Sequence, residues 1–158
     1  MNRRDFIAGL GGAAIWPLGA SAQQAIPLVG FLRSESFANA THFVTAFRQG
    51  LKETGFVEGQ NVAIEFSSAE SDRDRVASLT ADFIHRPVAV FVGHLAPSLA
   101  AKAATKTVPI VFLTGSDPVK DGLVTSLNRP GGNVTGVTFL GGMLGAKRLE
   151  LLHQFVPK

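Results

Sequence analysis

Residues 108–136 read VPIVFLTGSDPVKDGLVTSLNRPGGNVTG and carry the clearest indication of how this chain folds. They begin with a short apolar run at 109–113, rich in β-branched residues, which predicts a buried strand. The run ends abruptly in the small and polar segment TGSDP at 114–118. A buried strand with such an end is typical of a parallel α/β sheet that binds a ligand at its carboxyl edge. A Gly-Gly pair at 131–132 then turns the chain into a second apolar run at 134–140.

Strand and helix patterns alternate through the rest of the chain. Apolar runs predict earlier strands at 26–32, 62–66 and 88–92, and helical spacing predicts helices at 41–54, 71–86, 99–105 and 143–155. The run at 88–92 is apolar on both faces, which favours a central strand. Alternation with short connections indicates βαβ units with right-handed crossovers. We therefore predict an α/β fold, a doubly wound parallel sheet of the flavodoxin-like kind.

Local signals refine three of these elements. Phe43, Phe47 and Leu51 recur every four residues, the pattern of a helix face that packs on a core. Ser71 lies three residues before Asp74, which predicts a weak capping box with Ser71 as the cap. The Gly-Gly pair at 131–132 is the best candidate for a hinge in the chain.

Composition excludes several classes of function. With 158 residues, 46% hydrophobic and 17% charged, the chain can bury a core, so we do not expect global disorder. The net charge is only +3 and the cations are scattered, which argues against nucleic acid as a partner. Cysteine is absent, so the sequence encodes no disulfide, thiolate metal site or Cys nucleophile.

The first 22 residues have the composition of an export signal. Arg3 and Arg4 precede an apolar stretch at 6–18, and the small-residue pattern from Ala20 to Ala22 follows it. The paired arginines resemble a twin-arginine signal. The alternative is a membrane anchor, but the stretch falls short of the ~20 apolar residues that a spanning helix needs. We expect cleavage after about Ala22 and a periplasmic mature protein.

Three polar segments follow the predicted strands at 26–32, 88–92 and 109–113. Because carboxyl ends of parallel strands share one edge of a sheet, we expect these segments to converge there. The segment after 88–92 leads into a helix N-terminus, whose free N–H groups favour a carboxylate. We predict a site for a small ligand there, formed by Ser34, Ser36, Gly93, His94, Pro97, Ser98, Thr114, Ser116 and Asp117.

Each candidate also has a structural interpretation. Ser34, Ser36 and Ser98 could cap helices, since serine is a common N-cap. Asp117 before Pro118 is a typical turn initiator. His94 could be an ordinary loop histidine.

Signals for catalysis and for cofactors are weak. The chain lacks a G-x-S-x-G elbow, an H-E-x-x-H pair and a P-loop. No two histidines have metal-ligand spacing, so we predict neither a metal site nor a cofactor. We therefore interpret the protein as a binding protein and not as an enzyme.

A series of segments gives the chain a specific resemblance. They are IPLVGFL (26–32), AFRQGL (46–51), GFVEGQNV (55–62), AAKAAT (100–105), PIVF (109–112), DPV (117–119), GLV (122–124), RPGGNVTG (129–136) and KRLELL (147–152). In this order they closely resemble the ABC-transporter substrate-binding protein family that includes tryptophan- and tyrosine-type binding proteins.

The resemblance implies a type I periplasmic-binding fold, with two α/β lobes and a ligand in the cleft between them. Hinge closure would trap the ligand and present the closed form to a membrane permease. Family members usually have a Gly-Thr-Pro-like turn after the third strand. Here His94 and Leu95 add bulk at that turn.

The resemblance also implies a domain organisation. Family members have roughly 300 residues, as expected for two domains. We expect 23–140 to be the N-terminal lobe, 141–158 to be a helix that follows the hinge, and the second lobe to be missing from this chain. Without that partner, the helix is expected to expose an apolar face, which favours self-association.

The leading hypothesis is an exported solute-binding component of an ABC-type importer that binds a small carboxylate or amino-acid-like ligand. One alternative is an exported α/β enzyme that uses the same loops, with His94 and Asp117 as a titratable pair. The other is a non-functional truncated remnant of a binding protein.

Overall fold

A computed structural model describes residues 26–139, 141 and 144–156. The predicted export signal with Arg3, Arg4, Ala20 and Ala22 therefore lies outside the described residues. The elements along the chain are β1 (Leu28–Arg33), a 3-10 turn (Phe37–Asn39), α1 (Thr41–Glu53), β2 (Ala63–Ser68), α2 (Arg73–His85), β3 (Val88–Gly93), α3 (Leu95–Ala104), β4 (Ile110–Thr114), β5 (Val134–Thr138) and α4 (Gly145–Phe155).

The five strands form one parallel sheet in the order β2-β1-β3-β4-β5. The predicted α/β fold is confirmed, and the most apolar run, now β3, lies at the centre of the sheet. β1, β3 and β4 are neighbours, so the three polar segments that follow them meet at one edge. Strand order therefore places the predicted ligand site at the carboxyl edge.

Helices α2 and α3 close one face of the sheet. The buried cluster on this face consists of Leu32, Phe83, Val88, Phe91, Ala101, Ile110, Phe112, Leu123, Val124 and Val134. Phe83 from α2 fits against β1 because residue 30 is glycine. A Cβ at Gly30 would lie 2.6 Å from the Phe83 ring, closer than carbon atoms can approach.

Helix α1 covers part of the opposite face, and no residue of α1 is buried. The buried cluster beneath it contains only Val29, Phe31, Val62 and Val92, with Phe47 packed on it. Phe43, at the start of the predicted apolar stripe, is 46% exposed. The apolar stripe of α1 is present, but other side chains pack against only part of it.

The start of α2 differs from the prediction. Asp72 is the N-cap, and its carboxylate accepts hydrogen bonds from the backbone N–H groups of Asp74 at 2.8 Å and Arg75 at 3.2 Å. Ser71 is wrongly predicted as the cap, because its backbone has left-handed geometry with φ of 66° and lies outside the helix. The cap is one residue later than the capping-box pattern indicated.

Two other element boundaries differ from the predicted ones. Helix α3 begins at Leu95, four residues before the predicted start, and it includes Pro97 in its first turn. Strand β5 ends at Thr138, two residues early. Gly131 and Gly132 have φ of 76° and 64°, which confirms a turn that favours glycine there.

Helix α4 exposes apolar side chains, including Leu149 at 67% and Phe155 at 81%. An exposed apolar face was predicted for this helix, and the self-association that it favours stays a prediction. Among the helices of the described residues, none combines the length and the hydropathy needed to cross a membrane.

Candidate ligand-binding site

A cavity of about 530 Å³ opens at the carboxyl edge of the sheet, between the sheet and α1. Its wall is mostly aromatic and aliphatic. The lining residues are Phe31, Phe43, Ala46, Phe47, His94, Leu113, Thr114, Gly115 and Phe139. A cavity of this size matches those that enclose small organic ligands.

Two periodicities bring the aromatic residues together. Alternation along β1 directs Phe31 to the α1 face of the sheet, and helical spacing places Phe43 and Phe47 on one side of α1. The Phe31 and Phe47 rings meet edge to face, with centroids 5.1 Å apart. Phe66 from β2 supports both rings from behind, at 5.4 Å from Phe31 and 6.2 Å from Phe47. The aromatic wall is thus held by packing within the fold.

His94 and Thr114 are the two predicted site residues that line this cavity. His94 is the N-cap of α3, and its carbonyl accepts the first helical hydrogen bond from Ser98 N–H at 2.9 Å. Its Nδ1 lies 3.4 Å from the Glu35 carboxylate. The pKa of His94 is lowered, first because burial disfavours the charged imidazolium and second because Arg33 is nearby; Glu35 opposes both effects.

Gly93, Pro97 and Ser98 build the turn behind His94. The Ser98 hydroxyl is fully buried and donates a hydrogen bond to the Gly93 carbonyl at 2.9 Å. A Cβ at Gly93 would approach Ser98 Oγ to 3.0 Å and Pro97 Cβ to 3.1 Å, so the turn is tight. The contacts seen for these three residues shape the strand-to-helix connection, and their ligand role stays a prediction.

The segment after β4 is a hydrogen-bonded cluster. The Thr114 and Ser116 hydroxyls lie 2.7 Å apart, and the Ser116 hydroxyl also donates a hydrogen bond to Asp121. The Asp117 carboxylate accepts hydrogen bonds from the backbone N–H groups of Val119 at 3.0 Å and Lys120 at 3.3 Å. Asp117 therefore acts as the turn initiator that its position before Pro118 indicated. Its ligand role stays a prediction.

Ser34 and Ser36 lie in the loop after β1. The Ser36 hydroxyl accepts a hydrogen bond from Ala38 N–H at 3.3 Å and caps the 3-10 turn, not α1. The Ser34 carbonyl accepts a hydrogen bond from Ser71 N–H at 2.6 Å. Their ligand roles also stay predictions.

The most unusual residue of this edge, Arg33, was not among the predicted site residues. It ends β1, is only 8% exposed, and its Nε and Nη1 atoms are buried without a hydrogen-bond partner among the described residues. Its guanidinium carbon lies 5.7 Å from the Phe37 ring centroid and 5.3 Å from that of Phe43. In sequence it is a cation at a strand end, where exposure is the usual outcome. Its burial depends on how Phe37 and Phe43 fold over it.

Nowhere in residues 26–139, 141 and 144–156 do three His, Asp or Glu side chains gather closely enough to hold a metal ion. His94 pairs with Glu35, whereas Asp117 is occupied by its own turn. The structure records no contact between His94 and Asp117 among these residues.

A family model described as ABC transporter substrate binding protein matches residues 31–158. The chain belongs to this family. It is 35% identical over 113 residues to the tyrosine-binding protein of Clostridioides difficile strain R20291. The aligned residues make up 71% of this chain and 32% of that protein.

Solved structures agree with this assignment. A conserved domain protein from Vibrio cholerae superposes with a TM-score of 0.75 at 28% identity, covering 84% of this chain and 45% of the other. The ABC domain from Streptococcus pneumoniae in complex with L-Trp gives a TM-score of 0.65 at 29% identity, covering 71% of this chain and 38% of the other. This member of the substrate-binding family thus spans about a third of the curated relative's length and less than half of each solved structure.

Proposed function

We propose that this chain is the ligand-binding part of an exported solute-binding component of an ABC-type importer, and that its ligand is an aromatic amino acid or a similar small carboxylate. The observation that carries the proposal is the cavity at the carboxyl edge, where four phenylalanine rings and Leu113 surround a space of about 530 Å³. An aromatic side chain would bury most of its surface against such a wall, and apolar burial is the main driving force for binding of this kind.

The polar rim of the cavity suits the other end of an amino acid. Helix α3 begins at Leu95, directly after His94, so the N–H groups of its first turn and the positive end of the helix dipole lie beside the rim. Thr114 and Gly115 add a hydroxyl and an open backbone. A carboxylate at the rim and a ring in the cavity would use both kinds of surface.

The relatives support the same ligand class. One is named a tyrosine-binding protein, and one solved structure is a complex with L-Trp. Delivery to a membrane permease, export through residues 1–22 and a periplasmic location belong to this proposal. We also propose that residues 23–140 form the N-terminal lobe and that residues 141–158 form the helix that follows the hinge.

A catalytic role has less support. The proposed pair of His94 and Asp117 would need to share a proton, and each has other partners instead. The family to which the chain belongs consists of substrate-binding proteins. We therefore retain the binding role as the proposed function.

Thermal unfolding of the purified chain tests the proposal. L-tryptophan, L-tyrosine and L-phenylalanine should raise the melting temperature in a concentration-dependent way, since a ligand that binds only the folded state stabilises it by RT ln(1 + [L]/Kd). L-lysine and glycine serve as controls that lack an aromatic ring. No shift with any aromatic amino acid would refute the proposal.

A cavity-filling variant locates the site. Ala46 lines the cavity, so Ala46→Trp should occupy the space and abolish the ligand-induced shift. Ala77→Trp is the matched control, because Ala77 is exposed on α2, on the other face of the sheet. Loss of the shift in both variants, or in neither, would place binding elsewhere.

A further inference from the structure

His94 is the titratable side chain in the wall of the aromatic cavity. Among the described residues that line this cavity, it is the only one that changes its charge between pH 5 and 8. The other lining groups are aromatic rings, aliphatic side chains, the Thr114 hydroxyl and glycine backbone. The His94 side chain is 27% exposed, so most of its surface lies inside the fold. The charge of the cavity wall therefore depends on the protonation of one imidazole.

The charged groups around His94 come from β1 and from α3. One carboxylate oxygen of Glu35, in the loop after β1, lies 3.4 Å from His94 Nδ1 and also 3.4 Å from Nη2 of Arg33, so its negative charge is shared. The positive end of the α3 dipole opposes a cation at the N-cap, which is His94. The described lining residues from α1 and β4 add no titratable group. Burial and then Arg33 lower the pKa of His94, so the imidazole is mainly neutral at pH 7.

Glu35 also influences which ring nitrogen of His94 carries the proton. A carboxylate only accepts hydrogen bonds, so its position beside Nδ1 favours the tautomer with the proton on Nδ1. In that neutral ring Nε2 is an acceptor, and protonation turns it into a donor. The same side chain therefore offers opposite hydrogen-bonding properties, and a different charge, on the two sides of its pKa.

We propose that His94 sets the charge preference of this cavity, which favours an uncharged aromatic molecule with a hydrogen-bond donor near neutral pH and an aromatic anion in acid. The proposal rests on the function proposed above only in requiring that the cavity bind a small organic ligand. An uncharged ring in the cavity removes water from the imidazole and makes its charged form less favourable. An anionic group beside the imidazole has the opposite effect, because it attracts the imidazolium.

Calorimetric titration of the 158-residue chain with two probes tests the proposal without any mutation. The probes are 2-naphthamide and 2-naphthalenesulfonate, which share a bicyclic ring and differ in charge. From pH 7.5 to pH 5.0, the affinity for the sulfonate relative to the amide should rise about tenfold, the equivalent of one pKa unit. Near pH 6, buffers of different ionisation enthalpy should show that the sulfonate binds with proton uptake and the amide with proton release. A constant ratio without proton exchange would overturn the proposal and leave the cavity as a binding site. Failure of both probes to bind would also overturn it, and the proposed function is lost only if aromatic amino acids do not bind either.

Variants then assign the effect to His94. His94→Gln should abolish both the change in relative affinity and the proton exchange. His42→Gln is the matched control, because His42 is exposed on α1 and its ring lies 4.1 Å from that of Phe43, a cavity residue. Glu35→Gln, at a residue whose side chain is 59% exposed, should move the midpoint of the affinity change to lower pH, since Glu35 favours the charged imidazole. Persistence of the effect in His94→Gln, its loss in His42→Gln, or an unmoved midpoint in Glu35→Gln would each refute the proposal.

Discussion

The two faces of the sheet are built from the same strands and differ in how completely they are filled. On the α2–α3 face, ten buried residues form one cluster, and α2 contributes Val76, Thr80 and Phe83 to the interior. On the α1 face, the buried hydrophobic cluster among the described residues has four members, and α1 contributes none of them. Alternation along each strand supplies apolar side chains to both faces, so the difference arises from the helices that cover them.

The candidate ligand-binding site lies in the unfilled space on the α1 face. The cavity at the carboxyl edge is on this side, and a second apolar cavity of about 350 Å³ lies between α1 and the strands, lined in part by Leu51, Val90 and Val111. Arg33, whose Nε and Nη1 atoms have no hydrogen-bond partner among the described residues, also lies on this face. The comparison indicates that the α2–α3 face contributes more to the stability of the fold, while the α1 face leaves open the space in which we propose that a ligand binds.

The largest expected effect comes from truncating one phenylalanine on each face. Phe83→Ala should lower the free energy of unfolding by about 3–5 kcal/mol, because Phe83 is 2% exposed and its removal leaves a cavity in a closed core. Phe47→Ala should cost roughly half as much, since Phe47 already borders empty space and is only partly buried. Urea unfolding of the two variants measures both values. Equal losses would contradict the difference between the faces.

The sequence patterns predict that the sheet has two apolar faces covered by helices. They do not predict that one face is packed more completely than the other. Strand alternation and the apolar run at 88–92 predicted the parallel sheet with β3 at its centre, and therefore the convergence of three polar segments. The stripe of Phe43, Phe47 and Leu51 predicted an apolar helix face. Periodicity identifies such a face but carries no information on whether another element fills the space opposite to it.

Arg33 and Ser71 show a second limit of sequence patterns. The burial of Arg33 is set by aromatic rings four and ten residues later, so no local signal distinguishes it from an exposed strand-end cation. Ser71 and Asp72 are both good caps, and the choice depends on the backbone of Ser71, which takes a φ of 66°. In both cases tertiary geometry decides between locally equivalent outcomes.

Arg33→Met should raise the stability of the ligand-free chain by about 1 kcal/mol. Leaving buried donors unpaired costs about 1–3 kcal/mol, and an apolar side chain of similar length removes this cost while giving up weak contacts with two rings and Glu35. Urea unfolding without ligand measures the change. A loss of 1 kcal/mol or more would mean that the guanidinium stabilises the fold, and its unpaired donors would then carry no net cost.

The helices of the two faces also differ at their starts. Asp72 caps α2 through two hydrogen bonds, whereas α1 begins after Ala40, which makes no side-chain cap. Asp72→Ala should lower the free energy of unfolding by about 1 kcal/mol. Ser71→Gly should be neutral or slightly stabilising, because glycine adopts positive φ without strain. If Ser71→Gly lowers the free energy of unfolding more than Asp72→Ala does, Ser71 and not Asp72 is the N-cap of α2.

The smallest effect concerns His94, at the rim of the less-filled face. Its pKa in the folded protein is lowered, chiefly by burial and then by Arg33, from an ordinary value near 6.5. Between the folded and unfolded pKa values the unfolded chain binds more protons, so stability decreases as the pH falls through about 6.5 towards the folded value. Urea unfolding at pH 7.5 and pH 5.0 should therefore show a greater loss on acidification for the parent chain than for His94→Gln. His85→Gln, at the exposed end of α2, controls for loss of an imidazole. If His94→Gln loses as much stability as the parent on acidification, the surroundings of His94 do not disfavour its charged form.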